Sequence, residues 1–311
     1  MREGRSQNIE HSRVLKLGLR RSLVMAILVV GFLSMGVLTA QQPDTAVPVA
    51  APISRIWISP SGDPLPFTTN TELEEFLRTA EVVKMEEIPI GVTDPRMVWL
   101  KKDGIEAKAC FRDVDISQRK AVLPNKGIRK NWRDCCLFEC AAYQLAKLLG
   151  LNNIPPVVMR NIKGEDGTLQ IWVENATMET DRVKQSVYPP NLWRYQMQWQ
   201  VMRVFDALIY NDDRNAGNIL YDSDWNLWMI DHTRSFSRIS DLPEPSQIKH
   251  CERNLWERLC HLNEEEVEKT IGEYIQSVEL KALFKRREKL IAYIEDQIEE
   301  RGEKQVLFSF Y

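Results

Sequence analysis

Two short apolar runs, residues 219–221 and 227–230, flank the polar turn Asp-Ser-Asp-Trp-Asn. Strands on either side of such a turn bring the chain back on itself. Asp231, at the end of the second run, therefore returns beside Asn218, at the start of the first. Ahead of them, residues 191–211 carry Trp193, Met197, Val201, Val204, Phe205 and Leu208 at helical spacing. The polar loop Asp-Arg-Asn-Ala-Gly-Asn, 213–218, joins that helix to the hairpin. A helix, a loop and a hairpin in this order force Asp213, Asn218 and Asp231 into one neighbourhood.

One carboxylate and one amide oxygen converging on a point suit a hard cation such as Mg²⁺. That ion usually takes one or two protein carboxylates and completes its shell with phosphate and water. Asp213, five residues before Asn218, would stand clear of the metal and could take the proton of an attacking hydroxyl. A calcium loop is a competing reading, because Asn211, Asp213 and Asn215 alternate as such loops require. It fails at the sixth position, where Ala216 stands in place of the turn glycine, and at the twelfth, where Asp222 replaces Glu. A solvated turn whose Asp and Asn only cap backbone groups is the other alternative. It leaves Asp231, placed behind an apolar strand, without a purpose.

Upstream, the sequence supplies a helix from Glu72, then a hairpin with strands at 97–100 and 105–111 around Asp103 and Gly104. A strong amphipathic helix with Leu137, Ala141, Leu145 and Leu148 on one stripe ends at Gly150. Two more strands follow, in Pro-Pro-Val-Val-Met-Arg-Asn-Ile and Gly-Thr-Leu-Gln-Ile-Trp-Val-Glu-Asn-Ala, with Gly164 to Gly167 as the turn. From 191 the chain becomes mostly helical, including 263–300. Strands with one helix, then helices, describe an α+β chain of two lobes.

The segments Asp-Arg-Asn-Ala-Gly-Asn and Trp-Met-Ile-Asp-His resemble the catalytic and metal loops of the atypical kinase superfamily. That group includes the phosphoinositide 3/4-kinases, the HipA-like kinases and the secretory kinases of the four-jointed and Golgi casein kinase type. The resemblance spans roughly residues 75–250 and implies a protein-kinase-like fold, with a strand-rich lobe over 59–190 and a helical lobe over 191–311. It implies ATP with Mg²⁺ or Mn²⁺, Asp213 as the catalytic aspartate, and Asn218 and Asp231 as metal ligands. Asn215 stands where many relatives have His. Kinase chemistry also needs a strand lysine for the phosphates and a helix glutamate to hold it; Lys108 and Glu139 are the candidates for this ion pair. Arg112 is the alternative cation if the strand register differs by one face. Glu174, Asn175 and Ala176 would form the hinge that holds adenine through backbone groups, and Gly91 would begin the loop over the phosphates.

The first 40 residues hold six Lys/Arg against two Asp/Glu, a net of +4 in a chain of net −3, leaving about −7 for the rest. Arg13, Lys16, Arg20 and Arg21 precede an uncharged run, 22–40, which ends in Ala40. A basic flank before an apolar core describes a signal peptide or an N-terminal membrane anchor, and export of everything beyond it. Residues 41–58 then read as a linker, and any membrane contact would run through 22–40. An acidic body without a basic stripe is not expected to bind nucleic acid. Of six cysteines, Cys135, Cys136 and Cys140 share a helix and suit packing, while Cys251 and Cys260 are the best-spaced local disulfide pair. The expected activity is phosphoryl transfer to a protein, lipid or small-molecule hydroxyl, the acceptor being unspecified. The alternatives are a regulatory pseudokinase and a transferase of another group, such as a nucleotidyl moiety.

Overall fold

The computed structural model describes residues 56–89, 94–123 and 127–310. The apolar run at 22–40, nearly all of the linker and Gly91 lie outside the described residues. Helix α1 (Asn70–Thr79) starts at a capping box, in which the Thr69 hydroxyl accepts from the Glu72 amide and the Glu72 carboxylate accepts from that of Thr69. It lies over a five-stranded antiparallel sheet built from β1 (Glu81–Glu87), β2 (Arg96–Lys102) and β3 (Ile105–Arg112), with two strands from further along the chain.

Next comes a two-stranded ribbon, β4 (Asp115–Leu123) and β5 (Gly127–Cys135), and then α2 (Leu137–Leu148). Strands β6 (Val157–Ile162) and β7 (Glu165–Ile171) complete the sheet in the order β1-β2-β3-β7-β6. Adjacent residues face opposite ways in a strand. On β3, Ala107, Ala109 and Phe111 join the core under α1, so Lys108, Cys110 and Arg112 face the other side. Val158 joins the α1 core and its neighbour Val157 joins the core of α2 and the helical lobe. The sheet therefore separates two cores.

The chain leaves β7 through residues 172–176, forms the short β8 (Thr177–Met178) and α3 (Glu179–Lys184), and enters α4 (Leu192–Ile209). Helix α4 ends at Tyr210, whose φ of 51° is left-handed and turns the chain sharply. Strands β9 (Ile219–Tyr221) and β10 (Leu227–Met229) make the expected hairpin, with Met229 opposite Ile219, and β8 pairs with β9 as a third strand. Helices α5 (Arg253–His261), α6 (Glu264–Ile271), α7 (Ser277–Arg301) and α8 (Glu303–Val306) close the lobe, and β11 (Cys251–Glu252) pairs in parallel with β12 (Leu307–Phe308). All six cysteines are free thiols, so the Cys251–Cys260 pairing is corrected. Burial pushes the Cys251 thiol well up, and Cys251 packs in the core as a small apolar residue.

Gly167 on β7 lies against the Arg112 end of β3. A Cβ there would sit 2.4 Å from the Arg112 carbonyl oxygen and 2.6 Å from the Phe111 ring, which backbone cannot relieve cheaply. Gly167→Ala is expected to cost about 1–3 kcal/mol by overpacking, read as a lower urea midpoint at unchanged slope. A neutral result would mean that β7 can slide away from Arg112.

Candidate active site

The hairpin does what the spacing requires. The Ile230 amide donates to the Asn218 carbonyl at 3.2 Å, which sets Asp231 directly beside Asn218. The Asn218 side-chain nitrogen is spent on the Asp213 carbonyl at 3.0 Å, leaving its amide oxygen as the acceptor. Asn215 also donates to the Asp213 carbonyl, at 2.9 Å, and its oxygen caps the Gly217 amide. It shapes the loop. Asp231 has φ 59°, a left-handed backbone that is uncommon outside glycine, although Asp tolerates it better than most. Its Oδ1 accepts from the Thr233 hydroxyl at 3.1 Å. Among the described residues no group of three His, Cys, Asp or Glu could hold a metal. One carboxylate and one amide oxygen remain a donor set that Mg²⁺ or Mn²⁺ accepts when phosphate and water complete the shell.

The Lys108–Glu139 ion pair is not present and is corrected. The Lys108 ammonium lies 2.9 Å from Glu174 Oε2, while Glu139 sits 3.7 Å from Arg112 Nη1. Lys108 and Arg112 share one face of β3, so the choice between them was never one of face. They differ in position along the strand, about 13 Å apart at ~3.3 Å per residue. Lys108 is at the end where the chain leaves β7, with its carbonyl accepting from the Trp172 amide. Glu174 is within reach there, and the first turn of α2 meets the Arg112 end. Glu174, Asn175 and Ala176 lie in the segment between β7 and β8, with Asn175 left-handed at φ 56°. The Glu174 side chain, expected to say little, is engaged with Lys108.

Glu139 has no exposed surface, yet it is held charged. Burial opposes that charge, and Arg112 and His232 more than offset burial, leaving the carboxyl below its ordinary 4.5. The His232 amide donates to Oε1 at 3.1 Å, and Nδ1 lies 3.2 Å from Oε2. On its other side, His232 Nε2 is 3.0 Å from Arg214 Nη2. Arginine can only donate, so Nε2 accepts and the imidazole proton sits on Nδ1, facing Glu139. Arg214 also binds Asp206 through Nε at 2.9 Å, and its Nη1 donates to the carbonyls of Asn218 and Ile230, both at 2.7 Å. A buried chain, Asp206–Arg214–His232–Glu139–Arg112, thus runs from α4 through both loops to α2 and β3.

His232, Arg214 and Arg234 were not singled out in the sequence. Their signal was adjacency: Arg214 follows Asp213, His232 follows Asp231, and Arg234 comes two residues later. Arg234 Nη1 lies 2.9 Å from Asp213 Oδ2.

No family model and no curated protein matches the sequence. Solved structures do. The chain is similar to a hydra Fam20 protein determined with sugar, at 18% identity over 78% of this chain and 92% of that one, with a TM-score of 0.60. It is also similar to the Golgi casein kinase, at 15% identity over 76% of this chain and 78% of that one, with a TM-score of 0.55. The same kinase with Mn and ADP bound aligns with a TM-score of 0.54. The chain shares the kinase-like fold of these structures. The segment 172–176 runs directly into β8, which pairs with β9 of the hairpin.

Removing Arg112 should expose how much rests on Glu139. Arg112→Met would leave a buried carboxylate with only His232, at an expected cost of about 3–5 kcal/mol. The sign with pH follows from the lowered carboxyl. Its contribution is fully present above the unfolded value of 4.5 and is lost as pH falls through the folded one. Wild-type stability should therefore drop in acid below about pH 4.5, and Arg112→Met should flatten that dependence. An unchanged acid limb, measured by urea unfolding against pH, would remove Glu139 as its source.

Proposed function

We propose that this chain is an ATP-dependent phosphotransferase acting on a hydroxyl acceptor outside the cytosol. The observation that supports the reading is the hairpin, where the Ile230 amide bonds the Asn218 carbonyl and so sets Asp231, in a left-handed backbone, next to Asn218, whose side-chain nitrogen is spent on the Asp213 carbonyl. A divalent cation held by Asn218 and Asp231 would supply charge neutralisation at the phosphates. Lys108, on the cleft face of β3, holds phosphate oxygens, and Glu174 serves as its counter-ion in place of Glu139. Residues Glu174, Asn175 and Ala176 present backbone groups to adenine. Asp213 orients the acceptor hydroxyl and takes its proton. The related Golgi casein kinase has been seen with Mn and ADP, which supports the same class of ligand here.

Export rests on the basic flank before residues 22–40. No described helix is long and apolar enough to cross a membrane. A fusion of residues 1–60 to a reporter active only outside the cytosol should be active; an inactive fusion would return the chain to the cytosol.

A second reading, a nucleotide-binding scaffold without turnover, is favoured by the Lys108–Glu174 pair and by Asn215 in the place of His. One set of measurements separates the two. Mg²⁺- or Mn²⁺-ATP should stabilise the chain by ~2.7 kcal/mol at a hundredfold excess over the dissociation constant. Asp231→Asn should abolish that gain, because a neutral amide replaces the anionic oxygen. Asp213→Asn should keep the gain and remove labelled-phosphate transfer. Stabilisation without turnover in the wild type would establish the scaffold reading instead.

A further inference from the structure

Arg234 spans two carboxylates of very different surroundings. Its Nε donates to Asp134 Oδ2 at 2.6 Å, and its Nη1 to Asp213 Oδ2 at 2.9 Å. Asp134, at the end of β5, is 1% exposed, whereas the Asp213 side chain is 29% exposed. One end of the bridge is thus anchored in the interior and the other at the open site. The guanidinium lies over the Trp132 ring, 5.5 Å from its centre, so the face of the plane is supported as well as its edges. Backbone bonds fix the same three segments to one another. The Asp212 amide donates to the Arg234 carbonyl at 3.0 Å, and the Cys135 amide to the Thr233 carbonyl at 2.8 Å.

We infer that Arg234, braced by Asp134, is the residue that positions the Asp213 carboxylate for the acceptor. The inference rests on the phosphotransferase reading above and deepens it. A carboxylate that must accept a proton works only in a narrow range of orientation, and misplacement by about 1 Å can cost ~10²-fold in rate. Asp213 sits on a polar loop, and Arg234 reaches its carboxylate from outside that loop. Arg234 is built for this, because its fork reaches two acceptors in different directions from one rigid plane. It is also a cation on which the charges of Asp134, Asp213 and Asp231 all act, while Arg112 shares only Asp134 and Asp231 with it. The ribbon β4–β5 thereby acquires a role, since its inner end carries both Asp134 and Trp132.

The test uses the full chain and labelled ATP, with kcat, KM for ATP and the metal–nucleotide stabilisation read together. Arg234→Gln should lower kcat by about tenfold or more, with KM for ATP within about twofold of wild type and the stabilisation retained. Asp134→Asn, which cuts only the buried anchor, should give a smaller fall in kcat in the same pattern. Arg234→Lys keeps the charge but cannot reach both carboxylates from one rigid plane, so it should remain well below wild type. Full rescue by lysine would overturn the inference in favour of simple charge neutralisation. So would a fall confined to KM, or an unchanged or raised kcat in Arg234→Gln. If Arg234→Gln does not fold, the lysine and Asp134→Asn variants decide by the same criteria. A wild type with no turnover is a different failure, visible before any substitution, and the inference falls with the function.

Discussion

Glu139 has no exposed surface, and a carboxylate in that position stays charged only if neighbours neutralise it. Three groups share that duty: the Arg112 guanidinium and the backbone and ring N–H of His232. The requirement is local, but its reach is not. His232 can give its Nδ1 proton to Glu139 because Arg214 donates to Nε2, and Arg214 is aimed there by Asp206 on α4. The same guanidinium holds the carbonyls of Asn218 and Ile230, so the two ends of the β9–β10 hairpin are closed by one cation. One buried charge therefore orders α2, the 213–218 loop and the segment after β10 together. A group deleted anywhere in this chain leaves a partner buried and unsatisfied, which costs more than the bond itself was worth.

Much of this arrangement was legible in the sequence, and the parts that were not share a physical cause. The hairpin could be read because its turn is polar, its strands are apolar and short, and the register follows from the length of the turn. Helices α2 and α4 were readable from their apolar stripes. The β4–β5 ribbon was not, since its residues are mostly exposed on both faces and show no alternation of apolar and polar side chains. Alternation also could not choose between Lys108 and Arg112. It assigns faces, and both lie on the same face; what selects Arg112 is where along β3 the first turn of α2 is laid down. That is a tertiary fact, fixed by the separate cores on the two sides of the sheet. Asn215 shows a related limit. Its hydrogen bonds to Asp213 and Gly217 show a loop-shaping role that residue type alone does not specify.

The order of residues after Asp231 sets out the two halves of the site. His232 turns inward to Glu139 and, through it, to the small lobe. Arg234 turns outward to Asp213 and to Asp134 on the ribbon. Asp231 stands at the start of this divergence, and its left-handed backbone is the point at which the chain leaves the hairpin. Strain of that kind costs of order 1–3 kcal/mol and persists where surrounding bonds over-determine it. Here they do: Ile230 is fixed to Asn218 on one side, and His232 to Glu139 on the other. A movement of α2 would be transmitted to Asp231 through its neighbour's amide, and a movement of the ribbon would reach Asp213 through Arg234. The two braces thus start from neighbouring residues after Asp231, and both reach the 213–218 loop: His232 through Arg214, which holds the Asn218 carbonyl, and Arg234 through the Asp213 carboxylate.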